Sequence, residues 1–159
     1  LIGESFTDLG SSEYLSNICG ITYSPAPHFD LQEEYNVQQA VRSLIEMKLI
    51  QSAHDCSDGG LFVTLLESAM VDNCGFDISS DESLRKDAFL FGERQSRIVV
   101  SVSSDKQDDF IEQLLSGDVE FSMLGEVTDS EIIIDQENWG EISTWKKYFD
   151  EAIGIEMKQ

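Results

Sequence analysis

The sequence predicts an α/β (α+β) fold, a layered mixed β-sheet flanked by helices, and three observations carry that reading. Helical periodicity runs from about 30 to 48, where Val37, Ala40, Val41, Leu44 and Ile45 recur at three- and four-residue intervals. Short β-branched runs, such as Ile98-Val99-Val100-Ser101-Val102, have the composition of strands. The two patterns alternate along the chain, as helices layered on a sheet require. At 159 residues and 41% hydrophobic composition the chain can bury a real core, and residues 1–159 are expected to form a single domain.

The elements follow in order. Leu1 to Gly3 read as the end of a strand, followed by the loop Asp8-Leu9-Gly10-Ser11-Ser12. Ser11 or Ser12 can cap a short helix through Ile18, which Gly20 stops. Pro25 and Pro27 force an extended connection. Asp30 caps the long helix that runs to about Lys48, with Glu33 and Glu34 in the first turn, where the helix dipole favours acids. Leu49 and Ile50 lead into a polar turn, and an amphipathic run from Leu61 to Met70 follows. Cys74 to Ile78 reads as a short strand, and Asp81 or Ser83 as the cap of a brief helix ending near Phe91-Gly92. Arg97 to Val102 is expected to form a buried strand. Ser104 starts a helix with Phe110, Ile111, Leu114 and Leu115 inward and Gly117 as its stop. Segments near 121–127 and 132–135 are expected to pair as a hairpin across Thr128–Glu131. A last helix from about Ser143 carries Trp145, Tyr148, Phe149 and Ile153.

Charge narrows the function. The formal net charge is −21, from 31 acidic and 10 basic residues. Such a surface is well solvated and lacks the basic face that a nucleic-acid partner needs. An anionic ligand would need Mg²⁺ or a basic neighbouring domain to offset it. No apolar run approaches the length of a bilayer crossing, so a membrane partner is not expected. Cys19, Cys56 and Cys74 are odd in number and lack a CxxC pair, which suggests a reducing, cytoplasmic setting. The chain opens on Leu1 with residues that already look structured, and it is read as a piece of a longer polypeptide.

Three motifs carry the chemistry. In His54-Asp55-Cys56-Ser57-Asp58-Gly59-Gly60-Leu61 a strand, a polar turn and a helix start meet, and such a junction gathers unpaired N–H groups where phosphate can sit. Gly59 and Gly60 let a ligand approach the backbone, and Asp55 suits a hard cation. Ser57 could hydrogen-bond a phosphate or ribose and Asp58 a water on the metal, although simple helix capping is the favoured reading of both residues. Cys56 has no partner histidine to make it a nucleophile. In Phe91-Gly92-Glu93-Arg94-Gln95-Ser96-Arg97, Arg94 or Arg97 could hold a phosphate and Gln95 a ribose or amide. A plain loop with one arginine paired to an acid fits the same residues. Asp8-Leu9-Gly10-Ser11-Ser12-Glu13-Tyr14 is a third glycine turn into a helix.

Together these motifs resemble the carboxy-terminal domain shared by the aminoimidazole-ribonucleotide (AIR) synthetase-like ATP-dependent enzymes. Within that group they are most similar to the phosphoribosylformylglycinamidine synthases, over nearly the whole chain, with Ser11 where glycine is commoner. The resemblance implies an AIR-synthase C-terminal-domain-like fold. It also implies a ligase that uses ATP to activate the formamide oxygen of formylglycinamide ribonucleotide. Ammonia then comes from a glutaminase domain or subunit. It places this chain as the carboxy-terminal member of the second of two domain pairs, the half that in the large form of the enzyme holds an auxiliary nucleotide (ATP or ADP) with Mg²⁺. By motif position Asp55 resembles a metal ligand, and Ser57, Gly59 and Gly60 resemble nucleotide contacts. Glu93, Arg94 and Gln95 fall on a substrate-binding loop that is vestigial or structural in this half. The implied partners are the remaining synthase domains, and the chain alone is expected to be inactive. An exposed apolar patch and self-association are expected too. The alternatives are a scaffold module that binds no nucleotide and a domain of another enzyme of the superfamily.

Overall fold

The computed structural model describes residues 1–117 and 119–157. In chain order the elements are α1 (Leu31–Glu46), β1 (Ser52–Asp55), α2 (Gly60–Asp72), β2 (Gly75–Ile78), α3 (Lys86–Phe91), β3 (Ile98–Ser101), α4 (Gln107–Ser116), β4 (Gly125–Thr128), β5 (Glu131–Ile134), β6 (Glu137–Glu141) and α5 (Ile142–Glu156). They are divided between two units. The first comprises Leu1–Thr64 and Asp81–Met123; the second comprises Leu65–Ser80 and the chain from Leu124 onward. The mixed α+β character expected from the sequence is what the structure has.

In the first unit β1 and β3 pair antiparallel, with Ser52 opposite Ser101 and Asp55 opposite Ile98. Ile2 adds one bridge to Ile98 and another to Phe121, so the opening residues extend this sheet as expected. Helix α1 begins where the sequence places it. The Asp30 carboxylate accepts the Gln32 and Glu33 N–H groups, and these bonds hold its carboxyl below the ordinary value. Val37, Val41 and Leu44, at i, i+4 and i+7, turn inward and join Ile2, Leu49, Phe110 and Leu114 in one core. Leu115 departs from expectation: Leu114 takes the inner position on α4 and Leu115 is exposed. The short helix after the first loop is a single π turn, Tyr14–Ile18, closed by the Cys19 N–H on the Tyr14 carbonyl. Ser12 is its capping residue in effect, since its Oγ accepts the Leu15 N–H.

Helix α2 is not an amphipathic helix of the expected kind. Leu61, Phe62, Thr64, Leu65, Leu66, Ala69 and Met70 are all buried, so apolar contact extends around most of its circumference. Helix α3 starts at Lys86, later than a cap at Asp81 or Ser83 implies. Asp81 instead accepts the Ser83 N–H in a local turn.

The second unit holds a four-stranded mixed sheet in the order β4-β2-β5-β6. Here the sequence reading needs correction. Segments 125–128 and 131–134 are strands, but they do not pair with each other, because β2 lies between them. It runs antiparallel to β4 and parallel to β5, and places Phe76 and Ile78 in the core. The true hairpin is β5–β6, turning through Asp135 (φ 53°) and Gln136 (φ 68°). Two successive left-handed residues are what a two-residue hairpin loop requires. The Asp135 carboxylate also accepts the Ser80 N–H and hydroxyl at 2.7 and 2.9 Å. On α5, Trp145, Tyr148, Phe149 and Ile153 fall within an arc of roughly 140°. Tyr148, Phe149 and Ile153 on that arc are exposed, which is the apolar surface the sequence led us to expect. No helix among the described residues is long and apolar enough to cross a membrane.

Candidate functional site

The three motifs converge on one cavity of about 440 Å³ in the first unit. Gly10 and Ser11 come from the first loop, Asp55, Ser57 and Asp58 from the turn between β1 and α2, and Glu93 and Gln95 from the loop between α3 and β3. The sheet explains the convergence. Pairing of Asp55 with Ile98 sets the end of β1 beside the start of β3, and the Cys56 N–H on the Arg97 carbonyl continues the ladder by one residue.

At the turn, Gly59 (φ 83°) and Gly60 (φ 67°) are both left-handed, as the sequence suggests. A Cβ on Gly60 would lie 2.6 Å from the Gly92 carbonyl oxygen, so backbone meets backbone where α2 begins. The N–H groups expected to receive phosphate are engaged within the chain. Gly59 donates to Glu93 Oε1 at 2.8 Å and Gly60 to the Ser57 carbonyl at 3.0 Å. Ser57 Oγ donates to Asp55 Oδ2 at 2.7 Å, and that bond holds the Asp55 carboxyl below its ordinary value.

Arg94 is turned into the fold and paired there. It is 5% exposed, and its guanidinium makes a two-pronged pair with Glu33, at 3.1 and 2.5 Å. It also donates to the His28 and Glu4 carbonyls and lies 4.0 Å over the Phe6 ring. Arg97 is buried as well, donating to the Phe89 and Gly92 carbonyls at the end of α3. Its Nε has no partner, and burial lowers its pKa. Gln95 is exposed at the cavity wall. Cys56 is buried, and desolvation pushes its thiol up, away from nucleophile character.

Sequence reasoning missed two acids. Glu33 and Glu34 are dipole partners of α1 by position, but they also reach across the fold, Glu33 to Arg94 and Glu34 to Ser96 Oγ at 2.7 Å. Nothing in the local sequence marks such a pairing, because the partners lie more than sixty positions away. Ser11 carries a left-handed φ of 55°, the geometry behind a position where glycine is commoner.

The donor set decides what this cavity suits. Glu34, Asp55, Asp58 and Glu93 give it carboxylates, while both Arg97 Nη groups are bonded to carbonyls. A Mg²⁺ ion carried on phosphate needs only one or two carboxylates, which Asp55 and Asp58 can supply. Among the described residues no group of three or more His, Cys, Asp or Glu could hold a metal unaided. The phosphate half fits less well, since the Gly59 and Gly60 N–H groups are already taken.

This fold and this motif set define a known class. Residues 2–136 match the family described as AIR synthase related protein, C-terminal domain, and the chain belongs to that family. Among its relatives is the phosphoribosylformylglycinamidine synthase subunit PurL of Moorella thermoacetica, 35% identical over 134 residues, which are 84% of this chain and 18% of the relative. The chain thus spans about 18% of the length of the curated relatives it matches. Thermotoga maritima PurL complexed with FGAR has the same fold, with a TM-score of 0.68 at 16% identity, covering 91% of this chain and 29% of that one. The same protein complexed with ATP gives a TM-score of 0.68 at 16% identity, covering 89% and 24%.

Proposed function

We propose that this chain is the carboxy-terminal domain of the second half of a phosphoribosylformylglycinamidine synthase. That cytoplasmic ligase converts formylglycinamide ribonucleotide, ATP and glutamine-derived ammonia to the amidine in purine biosynthesis. The observation that carries the reading is the meeting of the Asp8–Tyr14, His54–Leu61 and Phe91–Arg97 motifs on one cavity. The partners are the remaining synthase domains and the glutaminase domain or subunit that delivers ammonia. The chain by itself forms no amidine, because the groups that cradle the reacting ATP lie outside it. Asp55 serves as a ligand to Mg²⁺ carried on an auxiliary nucleotide. Ser57, Gly59 and Gly60 line the approach to that nucleotide, whose phosphates take most of their charge compensation from neighbouring domains.

A second reading has a specific observation in its favour. With the Gly59, Gly60 and Ser57 donors all engaged internally, the domain suits a scaffold that binds no nucleotide. The two readings separate on the full-length synthase. Purified wild type and Asp55→Asn are compared for bound nucleotide and Mg²⁺. Loss of both from the variant supports the ligand role of Asp55, and equal content in the two proteins supports the scaffold.

A further inference from the structure

Glu93 touches both of the other motif loops through a single atom. Its Oε1 accepts the Glu13 N–H at 2.8 Å and the Gly59 N–H at 2.8 Å. Glu13 directly precedes the π turn Tyr14–Ile18, and Gly59 directly precedes α2. Two turns far apart in sequence are therefore held by one carboxylate oxygen that belongs to a third. The loop bearing Glu93 is itself anchored on both sides. Arg94 is fixed on Glu33, and the Gly92 N–H closes α3 on the Ala88 carbonyl. The preceding Phe91 ring stacks on Tyr14 at 5.0 Å and meets Phe62 edge-on at 5.7 Å. An acceptor so fixed is not free to follow a ligand. A charged acceptor also makes stronger bonds to backbone N–H groups than a neutral one.

We infer that Glu93 is a positioning residue that assembles the cavity wall by pinning the Glu13 and Gly59 backbones to one point, and not a residue that contacts substrate. The inference rests on reading this cavity as the domain's functional site. It explains how three loops distant in sequence share one wall. The negative charge that favours the start of α2 is built into the fold.

Amide hydrogen exchange on the ¹⁵N-labelled chain tests this in Glu93→Ala, Glu93→Gln and Glu93→Asp. In Glu93→Ala, protection of the Glu13 and Gly59 amides is expected to fall together, on the order of 10- to 100-fold. The Cys56 amide, bonded to the Arg97 carbonyl, is expected to stay as it was. Glu93→Gln keeps an acceptor in place and should retain most of the protection at both amides. Glu93→Asp keeps the charge but falls short in reach, and should lose it at both. If Glu93→Ala does not fold, the other two variants still separate reach from charge. Unchanged protection at either amide in Glu93→Asp, or an equal loss in Glu93→Gln, overturns the inference. No nucleotide enters this measurement, so failure of the synthase reading and failure of the clamp would be told apart.

Discussion

Removing the charge of Glu33 tests whether Arg94 holds the fold together or waits for a phosphate. The Arg94 side chain is 6% exposed and that of Glu33 is 26% exposed, so Glu33→Gln strands a nearly dry guanidinium. Breaking one side of a buried pair costs about 3–5 kcal/mol. The His28 and Glu4 carbonyls still accept from the guanidinium, so the lower end, about 3 kcal/mol, is expected. Arg94→Met leaves a quarter-exposed carboxylate that water can reach, and it also forfeits the contact with the Phe6 ring, worth about 0.5–2 kcal/mol. The double variant should cost less than the sum of the two, by about 1–3 kcal/mol, as coupled neighbours do. Urea denaturation of the four proteins measures each term. A loss of about 3 kcal/mol should also lower the Tm by roughly 6–12 °C in a chain of this size. Additivity within about 0.5 kcal/mol, or an Arg94→Met variant of native stability that binds nucleotide poorly in the full-length enzyme, would refute the structural role.

Three further outcomes are expected. Gly60→Ala must place a side chain at φ 67° with its Cβ 2.6 Å from the Gly92 carbonyl oxygen, so thermal melts should show a loss of at least about 1–2 kcal/mol. The Asp30 carboxyl is held below its ordinary 3.8 by the Glu33 and Gln32 N–H groups. Its contribution is therefore present above that pH and lost as pH falls through the lower folded value, and circular dichroism should show Asp30→Asn with a weaker acid dependence than wild type. Phe149→Lys with Ile153→Lys should reduce self-association in sedimentation runs, because both residues are exposed on α5 at 57% and 75%. A wild-type chain that stays monomeric at high concentration would count against a cohesive apolar face there.

Local chemistry was legible in the sequence, and long-range pairing was not. The Asp30 cap, the inward positions Val37, Val41 and Leu44 and the glycine turn at 59–60 all depend on neighbours within a few residues and stand in the structure, whereas Ile45 of the same apolar pattern is exposed. The expected hairpin failed because two strands close in sequence admit a third from far upstream, and β2 competes on core burial that local pattern does not record. The Asp135-Gln136 turn went unseen because neither residue is the glycine that usually announces two left-handed positions. At the site, the three motifs singled out by residue type meet on one cavity. The partners of Gly59 and Arg94, which are Glu93 and Glu33, emerge only in the folded chain. Both arise from contacts between segments that no spacing rule connects.

The place of β2 between β4 and β5 also has a consequence for synthesis on the ribosome. Gly75 pairs with Thr128 and Phe76 with Ile132, so this strand is translated well before either neighbour. At 5–20 residues per second the wait is roughly 3–10 s. Until β4 and β5 emerge, Phe76 and Ile78, buried in the finished fold, have no sheet to enter.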